Sequence, residues 1–200
     1  MTDQAELGRA HFYGIRRKRN YRKAFPLILQ AARDGWVHWQ YLAAYSLANG
    51  LGVKRDLRAA RRWYAKAARK GHPGALFNLA LMYDRGRCVR RDYRRAFALY
   101  KKGAQLGDAA AQCNLAVAYL EGLGVTKNLP LAMHWLKLAA RKSDPKAQYN
   151  LGLEYLEGGG VRRNLRLASV WLRRAAKHGH RRASRLLKSR EFQKQSRSAA

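Results

Sequence analysis

The chain has 200 residues, of which 42 are Lys or Arg and only 12 Asp or Glu, giving a formal net charge of +30. Apolar residues make up 48% of it, enough for a sizeable core, so it is not a disordered polycation. No apolar run approaches the ~20 residues that span a bilayer, and the excess of base points toward acidic partners: nucleic acid, anionic lipid or an acidic protein surface.

The chain opens Met1-Thr2-Asp3-Gln4-Ala5-Glu6, with no basic segment leading into an apolar one. This is not the pattern of a signal peptide, and the expectation is a cytoplasmic protein, periplasmic only if a leader precedes residue 1. The two cysteines, Cys88 and Cys113, are isolated and imply no disulfide framework.

Further along, one pattern returns every 36 residues. Asn20, Asp56, Asp92, Asn128 and Asn164 mark it, each followed four residues later by alanine: Ala24, Ala60, Ala96, Ala132 and Ala168. A second alanine recurs at Ala32, Ala68, Ala104, Ala140 and Ala176, and each copy closes on Gly35, Gly71, Gly107, Ser143 or Gly179. The predicted copies are 4–37 (degenerate), 38–73, 74–109, 110–145 and 146–181, followed by a capping helix over 182–193 and a frayed tail over 194–200.

Each copy reads helix, turn, helix. Ala75, Leu79 and Tyr83 lie at i, i+4 and i+8, one face of a helix, and recur as Ala111, Leu115, Tyr119 and as Ala147, Leu151, Tyr155. Gly86, Gly122 and Gly158 end these first helices, and a G-x-G-V turn follows at Gly50–Val53, Gly122–Val125 and Gly158–Val161. The Asp or Asn series then stands at the N-cap of the second helix, which carries Trp63, Trp135 and Trp171. Asp108 and Asp144 are placed to cap the next first helices. Cys88 sits where the second turn glycine belongs, which predicts a strained or reshaped loop. The first copy's turn, Gly14-Ile15-Arg16-Arg17, lacks both the second Gly and the Val.

The combined pattern A-x-x-x-L-(A/G)-x-x-Y-x-x-G-x-G-V-x-x-(D/N)-x-x-x-A-x-x-W-x-x-x-A-A-x-x-G resembles the Sel1-like repeat, a relative of the tetratricopeptide repeat, over roughly residues 4–193. The resemblance implies an all-α fold, a right-handed αα-superhelix with first helices on the concave face and second helices on the convex one. It also implies an adaptor, scaffold or inhibitor that binds proteins, with no catalytic residue and no cofactor. Some Sel1-like proteins that the chain resembles are immunity proteins that neutralise secreted bacterial toxins.

No catalytic or metal-ligand constellation stands out: the six histidines have no HExxH-type spacing, the G-x-G-V turns are not phosphate loops, and His178 and His180 read as a solvated turn. Two surfaces remain. By resemblance, the groove would be lined by Tyr41, Tyr45, Phe77, Leu81, Tyr149 and Leu153, with Cys113 completing the column Tyr41, Phe77, Tyr149. Asn78, Asn114 and Asn150 form a second column that could offer amides to an extended peptide. The other surface is a basic ridge on the turns: Lys54, Arg55, Arg90, Arg91, Lys127, Arg162 and Arg163. The leading expectation is a groove that takes an acidic protein or peptide. The alternative is a ridge that binds RNA, DNA or anionic membrane through counterion release.

Overall fold

The structure is a computed structural model and describes residues 3–16 and 18–197, the last three of them by backbone alone. Among the described residues it is entirely helical. In chain order the helices are α1 (Asp3–Tyr13), α2 (Tyr21–Arg33), α3 (Val37–Asn49), α4 (Leu57–Arg69), α5 (Pro73–Arg85), α6 (Tyr93–Gln105), α7 (Ala109–Glu121), α8 (Leu129–Arg141), α9 (Pro145–Glu157), α10 (Leu165–Lys177), α11 (Arg181–Lys188) and α12 (Arg190–Arg197). Among the described residues no helix is long and apolar enough to cross a membrane.

The chain divides into two compact units, Met1–Leu99 and Tyr100–Ala200. In each, consecutive helices pack in antiparallel pairs and the pairs stack, α1/α2 on α3/α4 in unit 1 and α7/α8 on α9/α10 in unit 2. This is the solenoid arrangement: one pair cannot bury its apolar face, and stacking supplies the cover. Unit 1 centres on Ile28, Leu42, Tyr64 and Leu79, and unit 2 on Leu115, Leu136, Leu151 and Leu172. Burying each such leucine contributes about 1.5–3 kcal/mol. The alanines of the repeat, among them Ala60, Ala75, Ala132 and Ala147, are fully buried and allow close helix contact.

The caps fall where the residue types place them. The carboxylate or amide oxygens of Asn20, Asp56, Asp92, Asn128 and Asn164 accept from the backbone N–H three residues on, at 2.9–3.0 Å. Asp108 and Asp144 do the same for α7 and α9 at 2.7 Å. A second recurring bond closes every inter-helix turn, from the N–H of the capping residue to a carbonyl near the end of the first helix: Asn20 to His11, Asp56 to Leu47, Asp92 to Tyr83, Asn128 to Tyr119 and Asn164 to Tyr155. Its presence in the first copy shows that the degenerate turn folds like the others; Arg17 of that turn lies outside the described residues.

The second glycine of the turn is left-handed at Gly52 and Gly124 but not at Gly160. Gly52 has φ +72°, and a Cβ would collide with the Tyr21 carbonyl. Cys88 holds the same conformation at φ +61° and Arg16 at φ +55°, so the cysteine loop is strained but not reshaped.

The end of the chain differs from expectation. Instead of one capping helix over 182–193, α11 stops at Lys188 and α12 starts at Arg190, and helix continues through 197 into the segment expected to fray. Ser189 is the cause: its hydroxyl donates to the Leu186 carbonyl at 2.7 Å and accepts from Phe192 N–H at 3.3 Å, capping α12. The break turns Phe192 onto Leu172, Ala175 and Ala183, where it is 5% exposed. The remainder of the tail, 198–200, lies outside the described residues.

Candidate functional site

Among the first-helix residues, Tyr45 is the most exposed tyrosine of the expected groove, at 37%. Tyr41, Phe77, Asn78 and Leu81 in unit 1, and Asn114, Tyr149, Asn150 and Leu153 in unit 2, are half-buried. Cys113 is 2% exposed and belongs to the core, so it presents no surface. Burial beside Asp144 pushes its thiol up to about 12, which keeps it protonated and inert.

The two column tyrosines have structural work. Tyr41 stacks on His72 with ring centroids 4.4 Å apart, and Tyr149 stacks on His180 at 4.3 Å. Both histidines are helix N-caps: the His72 ring accepts from Ala75 N–H at 3.3 Å and the His180 ring from Ala183 N–H at 3.2 Å. His180 therefore sits in a cap, not in a solvated turn, and His178 bonds Gln148 at 2.8 Å. An accepting Nδ1 carries no proton, so the neutral His72 ring holds its hydrogen on Nε2, facing His38 Nδ1 at 3.3 Å. Burial lowers the pKa of His38, His72 and His180 below the usual value, with nearby like charge or histidine adding to it.

The asparagine column is partly committed within the chain. Asn78 donates to the Gly74 carbonyl at 2.7 Å, and Asn150 lies 4.0 Å from the Cys113 sulfur. A different amide series escaped sequence reasoning: Gln40, Gln112 and Gln148 are buried and donate to the carbonyls of Ala32, Ala104 and Ala140. Each ties a first helix to the C-terminal carbonyls of the helix before it, groups that otherwise lack partners. Lys70 and Lys142 add a parallel tie to the carbonyls of Gly35 and Gly107. Gln at the fourth position of the first helix in three copies, with Leu76 there in another, was the available signal.

Within unit 1 the two expected surfaces meet. A cavity of about 350 Å³ is lined by Tyr45, Asn49 and Ala48 of α3, Leu57 and Tyr64 of α4, and Asn78, Leu81, Met82 and Arg85 of α5, with Arg55 and Arg87 from the two turns. Tyr45, Asn78 and Leu81 come from the predicted groove and Arg55 from the predicted ridge. Arg85, Arg87, Asn49 and Tyr64 were not singled out from sequence. Among the described residues no ion pair involves Arg55, Arg85 or Arg87. Tyr64 is 2% exposed, and burial near Tyr41 and Tyr45 raises its phenol well above the usual tyrosine range, keeping it a neutral donor.

The ridge residues Lys54, Arg55, Arg90 and Arg91 in unit 1, and Lys127, Arg162 and Arg163 in unit 2, are all exposed. The second member of each pair also has a local role. The stems of Arg55, Arg91, Lys127 and Arg163 lie over Gly50, Gly86, Gly122 and Gly158, the residues that end the first helices. Arg163 donates to the Leu156 carbonyl at 3.1 Å, a cation at a helix C-terminus. Unit 2 carries acids at the corresponding rim, and Glu154 accepts from Gly160 N–H at 2.8 Å. Among the described residues no group of His, Cys, Asp and Glu could hold a metal ion.

The Sel1 repeat family model matches residues 3–36, 40–72, 73–108, 109–144 and 145–180. Among solved structures, a Sel1 repeat protein from Oxalobacter formigenes shares 27% identity at a TM-score of 0.85, over 92% of this chain and 73% of that one. A protective antigen of uropathogenic Escherichia coli with an SLR fold shares 33% identity at a TM-score of 0.80, over 90% of this chain and 38% of the antigen. An immunity protein from Pseudomonas aeruginosa aligns over 100% of this chain and 81% of its own at a TM-score of 0.63, but at 18% identity that likeness shows the fold alone. No curated protein matches the chain in sequence. With five repeats matched in succession and the turn, cap and alanine pattern in place, the chain belongs to the Sel1 repeat family.

Proposed function

We propose that the chain is a non-catalytic interaction module whose first-helix face binds an acidic protein or peptide. Sel1 repeat proteins mediate protein–protein interaction, and their fold is typically a non-catalytic scaffold. The observation that carries the finer reading is the unit 1 cavity, where aromatic and amide side chains of the first helices meet three arginines that no acid among the described residues pairs. An aromatic anchor beside unpaired guanidinium groups offers both burial and charge to an acidic ligand. The surrounding positive field accelerates its encounter. Likeness to immunity proteins below 20% identity does not select that narrower role.

The test is capture of partners by the tagged chain from its host, with and without nuclease, eluted across a salt series. A single stoichiometric protein retained after nuclease and at about 0.5 M salt, where screening reaches only ~4 Å, supports the groove. Tyr45→Ala and Arg85→Glu then release it, while Arg162→Glu has little effect. A mixed, nuclease-sensitive cargo that salt removes overturns the reading in favour of polyanion binding through the turns.

A further inference from the structure

We propose that the unit 1 cavity is a subsite for the C-terminal residue of a peptide, holding its carboxylate on Arg55, Arg85 and Arg87 and its side chain on the apolar wall. The inference rests on the interaction-module reading and names what one part of that surface recognises.

The cavity has two kinds of lining. Arg55, Arg85 and Arg87 line it with guanidinium side chains suited to a planar anion, and among the described residues no carboxylate pairs with them. Leu57, Leu81 and Met82, with the rings of Tyr45 and Tyr64, supply an apolar floor. Tyr64 is almost fully buried and lines the cavity, and its hydroxyl is not among the buried polar atoms left without a partner, so the donor is accessible at the cavity. A ligand acceptor would bond to it there.

A chain terminus carries a carboxylate and a side chain on one Cα, so both reach a single cavity of about 350 Å³. An internal Asp or Glu places its carboxylate at the tip of the side chain, and its apolar neighbours on an extended strand point to the other face. Phosphate fits less well. Asn49 and Arg85 are the last residues of α3 and α5, so two helix C-termini, each carrying partial negative charge, border the cavity. A dianion meets that repulsion at twice the charge of a carboxylate.

The site is particular to unit 1. Seventy-two residues on, two repeats later, Arg85 becomes Glu157, Asn49 becomes Glu121, Met82 becomes Glu154, Arg87 becomes Gly159 and Tyr64 becomes Leu136. The same scaffold corner thus exists without the anion-binding set, which makes the arginines of unit 1 a feature beyond the repeat itself.

The experiment is an NMR titration of the full chain, following the Met82 methyl and the arginine Nε–H signals, with four probes: N-acetyl-leucine, N-acetyl-leucinamide, N-acetyl-glutamic acid α-amide and inorganic phosphate. N-acetyl-leucine is expected to saturate both sets of signals with an affinity on the order of millimolar. The leucinamide and the glutamic acid α-amide are expected to bind at least tenfold more weakly, and phosphate not to displace N-acetyl-leucine. Arg85→Gln with Arg87→Gln, both at exposed positions, should remove saturation while leaving the helical spectrum and melting curve unchanged. Equal binding of the amide, tighter binding of the internal-type glutamate, competition by phosphate, or no saturation each overturns the assignment. If the chain still retains a protein partner while no probe binds, the subsite falls and the interaction-module reading stands. If N-acetyl-leucine binds but only nuclease-sensitive cargo is captured, the reverse holds.

Discussion

The same corner of the repeat, where two first helices meet a turn and a second helix, is built twice with opposite electrostatics. In unit 1 it carries Arg55, Arg85 and Arg87 with Tyr45 and Tyr64; in unit 2 the positions 72 residues later hold Lys127, Glu157, Gly159, Val117 and Leu136, with Glu121 and Glu154 added. Leu136 is fully buried, as its unit 1 counterpart Tyr64 nearly is, while the rim changes sign. The lesson is that the repeat constrains what faces inward and leaves the rim open to specialise. Net charge alone does not reveal this, because a +30 chain would be expected to be basic everywhere.

The largest effect expected from disturbing this comparison concerns the turn beneath the unit 1 corner. Gly52→Ala adds a Cβ against the Tyr21 carbonyl at a left-handed position and should destabilise the chain by about 2–4 kcal/mol. Urea unfolding measures it, and a midpoint unchanged from the parent would show that the Tyr21 carbonyl moves aside at little cost.

Next comes conversion of the rim. Arg85→Glu with Arg87→Gly gives unit 1 the residues of unit 2, and affinity for the captured partner should fall tenfold or more, about 1.4 kcal/mol. Stability should change by less than about 0.5 kcal/mol, since both positions are exposed. Loss of partner with an unaltered melting curve separates recognition from folding.

The ties between helices come third. Gln112→Ala in unit 2 leaves the Ala104 carbonyl without its side-chain donor and should cost about 1–2 kcal/mol. Unit 1 shows that this position can be apolar, since Leu76 occupies it there with 2% exposure. Gln112→Leu should therefore recover part of the loss in the same unfolding assay.

The caps predict a pH response. His72 and His180 are held neutral in the folded state, with pKa values below 6.5. Above 6.5 both states are neutral at these rings and they contribute no slope. As pH falls below 6.5 the unfolded chain takes up protons first, so stability declines until the folded rings also titrate. His38 and Tyr41 face the His72 ring, and Tyr149, Asp144, Lys146 and Arg182 surround His180. Replacing His72 by Asp, the residue type unit 2 uses at Asp108 and Asp144, should reduce the decline of thermal stability as pH falls below 6.5, leaving the part due to His38 and His180. A slope equal to the parent's would remove His72 as its source.

The smallest effect lies at Cys88. Its φ of +61° is the conformation of Gly52, and Cys88→Gly should raise stability by up to about 1 kcal/mol, the relief of left-handed strain less the added freedom of the unfolded chain. A small upward shift of the melting temperature is the expected reading.

The repeat, its helix boundaries and most of its caps were legible in the residues because each depends on contacts a few positions apart. Asp56 reaches Ala59, Asp108 reaches Ala111, and Gly50, Gly86, Gly122 and Gly158 take φ above zero where the first helices end. Ser189 was equally local, and its signal, a serine ahead of Arg190-Glu191-Phe192, was overridden by the expectation of one continuous helix. Of the corner itself, sequence reasoning marked Tyr45, Asn78 and Leu81 for one surface and Arg55 for another. That these share a cavity with Arg85, Arg87 and Tyr64 follows only when α3, α4 and α5 stack and bring side chains from two turns and three helices together. The same holds for His72 beneath Tyr41, 31 positions apart, and for Gln148 on the Ala140 carbonyl of the preceding helix. Local hydrogen-bonding rules set the elements; the stacking of one pair on the next decided which side chains meet, because that distance is fixed by packed volume and not by position along the chain.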